Sequence, residues 1–242
     1  DLRLKVRLTL NEVATGCTKK FKVRKYVTCD ECNGSGSKDG QTTTCSSCNG
    51  SGTIYRTVNS MFGRMQTQQT CNACNGEGKS IKNKCPHCQG EGVVQGEDLI
   101  EVAIPAGVSD GMVVTASGKG NAARRNGING DLQVFISVEE HKDFVREEQN
   151  LIYNLLLDLP TAILGGDVEI PTLDGKAKVR IEAGTQPGKV IRLRGKGLPA
   201  VQGYGYGKGD LIVHISVYVP EQLNKEEKKA IESLKGSENF MP

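Results

Sequence analysis

Four copies of one eight-residue phrase, Cys-x-x-Cys-x-Gly-x-Gly, lie between Cys29 and Gly92: Cys29-Asp-Glu-Cys32-Asn-Gly34-Ser-Gly36, Cys45-Ser-Ser-Cys48-Asn-Gly50-Ser-Gly52, Cys71-Asn-Ala-Cys74-Asn-Gly76-Glu-Gly78 and Cys85-Pro-His-Cys88-Gln-Gly90-Glu-Gly92. A Cys-x-x-Cys turn offers half of a tetrahedral thiolate site, so four of them supply two closed four-cysteine zinc centres. The principal apolar residues in this stretch are Ile54, Tyr55, Val58, Met61, Phe62, Met65 and Ile81, far too few for a core. Metal has to hold it together, and structural zinc contributes an apparent ~10–16 kcal/mol per site in small modules. The glycines allow the positive φ with which the chain can wrap back and aim backbone amides at the sulfurs.

Four knuckles can pair in three ways: in sequence, interlaced, or nested. Nested pairing brings Cys29 and Cys88 together, and with them the entry and exit of the segment. That suits an insertion at a hairpin tip, where few backbone contacts are lost. The expected ligand sets are therefore Cys29, Cys32, Cys85 and Cys88 at one zinc, and Cys45, Cys48, Cys71 and Cys74 at the other.

Other readings of nine cysteines are weaker. A secreted disulfide scaffold is normally small, and the cysteines of each Cys-x-x-Cys pair are too close for easy mutual disulfides, so metal in a reducing cytoplasm fits better. A thiol-disulfide oxidoreductase needs a low-pKa cysteine at a helix N-terminus in a thioredoxin-like setting, which four glycine-trailed copies in a loop-rich segment do not provide. Closed four-cysteine sites lack the open coordination position of catalytic zinc. No Gly-x-Ser-x-Gly elbow or P-loop is present, and an enzyme is not expected. The formal charge of +3 becomes −1 once eight thiolates contribute −8 and two zinc ions +4, which argues against a zinc-ribbon nucleic-acid binder. Cys17, outside the array, is read as a small semi-buried side chain.

Outside the cysteines the sequence repeats itself. Val102-Ala-Ile-Pro-Ala106-Gly107 matches Val179-Arg-Ile-Glu-Ala183-Gly184, and at the same offset Gly111 matches Gly188 and Gly118-Lys119-Gly120 matches Gly195-Lys196-Gly197. Gly130-Asp131-Leu132 matches Gly209-Asp210-Leu211, and Leu8-Thr-Leu10 ahead of Gly16 resembles Leu157-Asp-Leu159 ahead of Gly165. In the second copy the blocks join through Asp174-Gly175, a hairpin turn signal. In the first copy the same junction holds everything from about Arg24 to Asp98. The chain thus reads as a duplicated β domain whose first copy carries the zinc module as an insertion.

Strands are legible by alternation: Leu2, Leu4, Val6, Leu8 and Leu10 face one way, Arg3, Lys5, Arg7 and Thr9 the other. Ile212 to Val219 alternates similarly, with His214 on the wetter face; neither it nor His87 nor His141 is assigned a ligand role. Glu139 to Asn150 reads as a charged linker. Asn224 and Glu227 have capping-box spacing ahead of Ala230, Ile231 and Leu234, which predicts an amphipathic helix from about Lys225 to Lys235. Its apolar stripe can lie on the parent domain or meet another subunit.

With four such repeats inserted into the first of two similar β domains, the chain resembles the C-terminal part of type I DnaJ co-chaperones over essentially its whole length. Leu159 to Gly166 and Gly195 to Pro199 resemble the bacterial branch in particular. There is no His-Pro-Asp tripeptide and no Gly/Phe-rich segment, so the J domain is expected to lie outside this chain. The resemblance implies a mostly β fold of two tandem, similar β-sandwich-like domains. Residues 1–26 and 93–140 would form the first, peptide-binding domain, 27–92 the loop-rich zinc module with two Zn2+, 141–224 the second domain, and 225–242 the C-terminal helix with the start of a dimerisation tail. It implies binding of unfolded or extended polypeptide, delivery to a DnaK-type chaperone, homodimerisation of the full-length protein, a cytoplasmic setting, and neither nucleic-acid nor membrane binding. By position, the family's substrate pocket falls on Leu2, Phe21, Val23, Ile100 and Val134. Alternation alone places these five in the core. The second zinc site, near the tip of the insertion, is a candidate contact for DnaK or substrate.

Overall fold

The computed structural model describes residues 1–60, 63–201 and 205–240. In chain order the elements are β1 (Leu2–Leu8), α1 (Leu10–Thr15), β2 (Cys17–Thr28), β3 (Thr43–Thr44), β4 (Thr53–Ser60), β5 (Gly63–Thr70), β6 (Lys79–Ser80), β7 (Val93–Ile104), β8 (Val113–Ala116), β9 (Leu132–Val138), β10 (Phe144–Glu147), β11 (Asn150–Asp158), α2 (Leu159–Leu164), β12 (Gly166–Thr172), β13 (Gly175–Ile181), β14 (Val190–Leu193), β15 (Leu211–Tyr218) and α3 (Lys225–Leu234). The chain divides into two compact units. The first comprises Asp1–Arg7, Thr18–Ile104 and Asp110–Ser137, the second Leu8–Cys17, Pro105–Ser109 and Val138–Pro242.

The duplication is plain in the sheets. Strand order β1-β9-β8 in the first copy matches β11-β15-β14 in the second, and the pair β2-β7 matches β12-β13. The loops match bond for bond. Gly111 N–H donates to Ile136 O at 3.0 Å, and Gly188 N–H to Ile215 O at 2.8 Å. Gly118 N–H donates to the Asp131 carboxylate at 2.8 Å, and Gly195 N–H to that of Asp210 at 2.7 Å. The Asp131 and Asp210 amides each donate at 2.9 Å, to the side-chain oxygens of Asp1 and Asn150. One acidic side chain thus ties the glycine turn down in each copy, which explains why Gly-Asp-Leu recurs. In the second copy the Gly195 amide, followed by the Arg192 guanidinium, holds the Asp210 carboxyl below the usual carboxylate range.

Each unit buries a modest apolar layer. Leu132, Val134 and Ile136 alternate inward along β9, as Leu211, Val213 and Ile215 do along β15. In β1 the inward set Val6 and Leu8 continues to Leu10, although the strand stops at Leu8. Thr9 caps α1 there: its hydroxyl accepts from Glu12 N–H at 3.3 Å, and the Glu12 carboxylate accepts from Thr9 N–H at 2.9 Å. Segment 105–109 falls in the second unit, where the half-buried Arg146 guanidinium donates to the carbonyls of Val108 and Gly107 and to Ser109 Oγ.

Two sequence expectations are corrected. The supposed linker Glu139 to Asn150 contains β10, paired antiparallel with β11. Phe144, 4% exposed, stacks on His141 at 4.9 Å and leans on Tyr153 at 5.9 Å, so a single buried aromatic anchors a strand inside a charged stretch. The hairpin of the first copy also runs further than Arg24 and Asp98, to Thr28 and Val93. Ion pairs of Lys20 with Glu101, Lys22 with Glu97 and Lys25 with Asp98 line it, and beyond Val23 and Ile100 its alternation gives way to charged and polar residues such as Arg24, Lys25, Glu97 and Asp98. At the other end α3 has its capping box, with Asn224 Oδ1 accepting from the amides of Glu226 and Glu227. Ile231 and Leu234 turn toward Leu159, Ile163 and Val217 of the second unit and line an open apolar groove of about 790 Å³.

Candidate functional site

Each cysteine phrase folds alike. The residue after its second cysteine lies in the left-handed region: Asn33 at φ 47°, Asn49 at 48°, Asn75 at 50° and Gln89 at 53°. Asparagine tolerates that conformation best among residues with a side chain. The chain then turns back through two glycines, and the amide of the last one donates to the second cysteine's sulfur. Gly36 reaches Cys32 Sγ, Gly52 reaches Cys48 Sγ and Gly78 reaches Cys74 Sγ, each at 3.3 Å, and Gly92 reaches Cys88 Sγ at 3.2 Å.

Backbone bonds decide which knuckles meet. Cys29 N–H donates to Gly92 O at 3.0 Å and Cys85 N–H to Gly36 O at 2.9 Å, joining the first knuckle to the fourth. Cys45 N–H donates to Gly78 O and Cys71 N–H to Gly52 O, both at 2.9 Å, joining the second to the third. The sulfurs follow. Cys29, Cys32, Cys85 and Cys88 form one cluster and Cys45, Cys48, Cys71 and Cys74 another, with all four sulfurs of each within 4.8 Å of one another.

A tetrahedral zinc with Zn–S of about 2.3 Å sets its sulfurs about 3.8 Å apart. The facing pairs stand at 4.0 Å for Cys29 and Cys85, 3.7 Å for Cys32 and Cys88, 3.9 Å for Cys45 and Cys71, and 3.7 Å for Cys48 and Cys74. All eight cysteines are buried. Burial pushes the Cys29 thiol up to about 12 and that of Cys74 up to about 11, while against the same burial the amides of Gly52 and Gly92 help bring Cys48 and Cys88 down to about 7, so a bound cation would displace the protons of the first two. Soft sulfur donors at tetrahedral spacing fit zinc, and the chain carries two such sites. Bound there, the metal supplies the cross-link that the missing core would have provided. Ile54 packs on the second cluster and Val94 on the first. Tyr55, Val58 and Met65 are exposed on the β4–β5 hairpin, while Met61 and Phe62 lie outside the described residues.

A further element of this site has no counterpart in the sequence reading. The loop from β8 to β9 places Arg125 and Asn126 at φ 52° and 58°, unusual for residues with side chains. From there the Arg125 guanidinium donates to Gly90 O at 3.1 Å and pairs with Glu77, its amide donates to Glu91 O at 3.3 Å, and Arg124 pairs with Glu91. One loop thereby grips both the fourth knuckle and the third. Because the Arg125 and Glu77 side chains are partly exposed, a double-mutant cycle with Arg125→Ala and Glu77→Ala is expected to give a coupling of about 0.5–1 kcal/mol. The cycle is read by chemical denaturation, and strict additivity would show the clasp to be incidental.

The five pocket residues inferred by resemblance do not share one environment. Val134 is 0% exposed, Ile100 3% and Val23 8%, whereas Leu2 and Phe21 are half-buried. Leu2 lines a largely polar cavity of about 670 Å³ with Tyr26, Gln95, Gly96 and Asn121. It stands on β1, which ends the strand order β1-β9-β8, and Phe21 and Val23 stand on β2, whose sheet partner is β7.

Comparison with known proteins places this geometry. A sequence model described as the DnaJ C terminal domain matches residues 2–220. The chaperone protein DnaJ of Bacteroides thetaiotaomicron is 58% identical, that of Bacteroides fragilis 56% and that of Porphyromonas gingivalis 50%, each aligned along the whole of this chain. The chain spans 61–63% of the length of these relatives. Since the family match runs from β1 to just beyond β15 and encloses both four-cysteine centres, the chain belongs to the DnaJ C terminal domain family.

Proposed function

We propose that this chain binds unfolded or extended polypeptide by strand addition beside an apolar pocket of the first β unit, and that the longer protein delivers it to a DnaK-type chaperone. The observation that carries this reading is the terminal position of β1 in its sheet, with half-exposed Leu2 on it. A free strand edge offers backbone hydrogen bonds to any sequence, and a neighbouring apolar pocket selects a large side chain. In this proposal Leu2 and Phe21 offer the accessible apolar surface, and Val23, Ile100 and Val134 belong to the buried layer of the same unit. We further propose that the full-length protein is a homodimer and that it works in the cytoplasm, where a reducing environment keeps eight zinc-binding thiols from oxidising. Among the described residues no helix is long and apolar enough to cross a membrane.

The burial of Val134 shapes the test, because an aspartate there would unfold the domain before it affected binding. Phe21→Asp, alone and with Leu2→Asp, is expected to weaken binding of a reduced, unfolded client by about tenfold or more, the worth of one large apolar side chain. Zinc content and melting temperature should stay unchanged. Undiminished binding by the folded double variant would overturn the pocket assignment.

A further inference from the structure

We propose that His87 sets the two zinc sites apart: its ring N–H caps the Cys29 thiolate and shields the first site, so that electrophiles strip zinc from the Cys45, Cys48, Cys71 and Cys74 site first. The two sites share their thiolate geometry. Each has two sulfurs that accept a glycine amide at 3.2–3.3 Å, and each is buried to a similar degree. Of the motif positions at which their sequences differ, the residue just before the second cysteine of each knuckle is the one whose side chain reaches a sulfur in the first site. In the first site these residues are Glu31 and His87, in the second Ser47 and Ala73.

Nested pairing lays that position over the first cysteine of the partner knuckle. His87 Nδ1 stands 3.4 Å from Cys29 Sγ, and Glu31 Oε2 stands 3.7 Å from Cys85 Sγ. A zinc-bound thiolate has no proton and can only accept, so the imidazole presents N–H at Nδ1. A hydrogen bond of this kind withdraws electron density from the sulfur and makes it a poorer nucleophile. Glu31 and His87 are both exposed to water, but an ionised carboxylate has no proton to donate to a metal-bound thiolate, so Glu31 forms no hydrogen bond to Cys85 that would oppose the imidazole's. The short side chains of Ser47 and Ala73 offer no comparable donor to the second site.

The test is zinc release on titration with N-ethylmaleimide, followed with a chromophoric chelator and by mapping the alkylated peptides. Each thiolate adds to the maleimide double bond, a C–S bond replaces the Zn–S bond, and water delivers the proton to the adjacent carbon. In the unaltered protein the peptides carrying Cys45, Cys48, Cys71 and Cys74 should be modified first, and zinc should leave in two phases of equal amplitude. His87→Leu, which keeps bulk but loses the donor, should speed the slow phase by about tenfold and leave the fast phase unchanged. His87→Asn, whose amide nitrogen falls near the position of Nδ1, should restore part of the protection. Simultaneous alkylation of both sites in the unaltered protein, or a slow phase unmoved by His87→Leu, would overturn the proposal. Neither outcome depends on client binding.

Discussion

Gly92→Ala is expected to destabilise the first zinc site by about 3–5 kcal/mol, while Gly40→Ala, in the same arm, costs about 1–2 kcal/mol. Both glycines lie in the left-handed region, at φ 77° and 71°, so the conformational penalty of a β-carbon is shared. They differ in what that carbon would meet. At Gly92 it would stand 2.3 Å from Gly34 O and 3.0 Å from the Arg125 amide nitrogen, whereas at Gly40 nothing lies within 4 Å. The Gly34 carbonyl belongs to the partner knuckle, so relief of the clash has to separate the two knuckles and loosen the bond from Cys29 N–H to Gly92 O. The same contact recurs for Gly52 against Gly76 O and for Gly78 against Gly50 O, each at 2.3 Å, and for Gly36 against Gly90 O at 2.5 Å. The last glycine of each phrase is thus required by the partner knuckle as well as by its own turn. Chelator competition measures the effect as a fall in zinc affinity of about a hundredfold or more at one of two sites. Equal behaviour of the two variants would refute this explanation of the motif.

The cysteine array and the duplication are written openly in the sequence, because metal ligands and turn glycines occur at fixed intervals that no packing context can alter. Gly111, Gly118 and Gly120 repeat as Gly188, Gly195 and Gly197 since the turns they make are closed by the same hydrogen bonds in both copies, to backbone carbonyls or to one aspartate. What is hidden depends on particular contacts rather than on spacing. The strand around Phe144 is too short to show a period, and it exists because one aromatic ring finds His141 and Tyr153. The grip of Arg125 on Gly90 and Glu77 joins residues 35 and 48 positions apart. Its trace in the sequence is modest: the Arg124-Arg125-Asn126 stretch has no match in the second copy. The start of α1 is legible, since Thr9 and Glu12 have capping-box spacing ahead of a short apolar run. For the pocket, alternation marks Val23, Ile100 and Val134 correctly as buried, but it cannot mark Leu2 and Phe21 as accessible.

Excising the arm is the larger perturbation, and it should leave the first β unit standing. The second copy closes the equivalent hairpin in register from Thr172 to Gly175 through Leu173 and Asp174, with no metal ligand in the turn. The same solution should serve if Thr28 is joined to Val93 through an Asp-Gly turn, because β2 and β7 already pair up to the root of the arm. The cost falls on the β8–β9 loop, since Arg124 and Arg125 lose the knuckles they grip and the left-handed conformations of Arg125 and Asn126 lose support. Leu132, Val134 and Ile136 remain enclosed, and β1 keeps its place at the end of the sheet. The proposal assigns the arm to zinc and the client to the β unit at its root. The direct test is the affinity of the arm-excised chain for an unfolded polypeptide, measured beside its metal content and its circular dichroism. The expected result is a folded, zinc-free chain whose affinity lies within a few-fold of the intact protein's. A folded chain that no longer binds would contradict the claim and place the client on the metal-built arm.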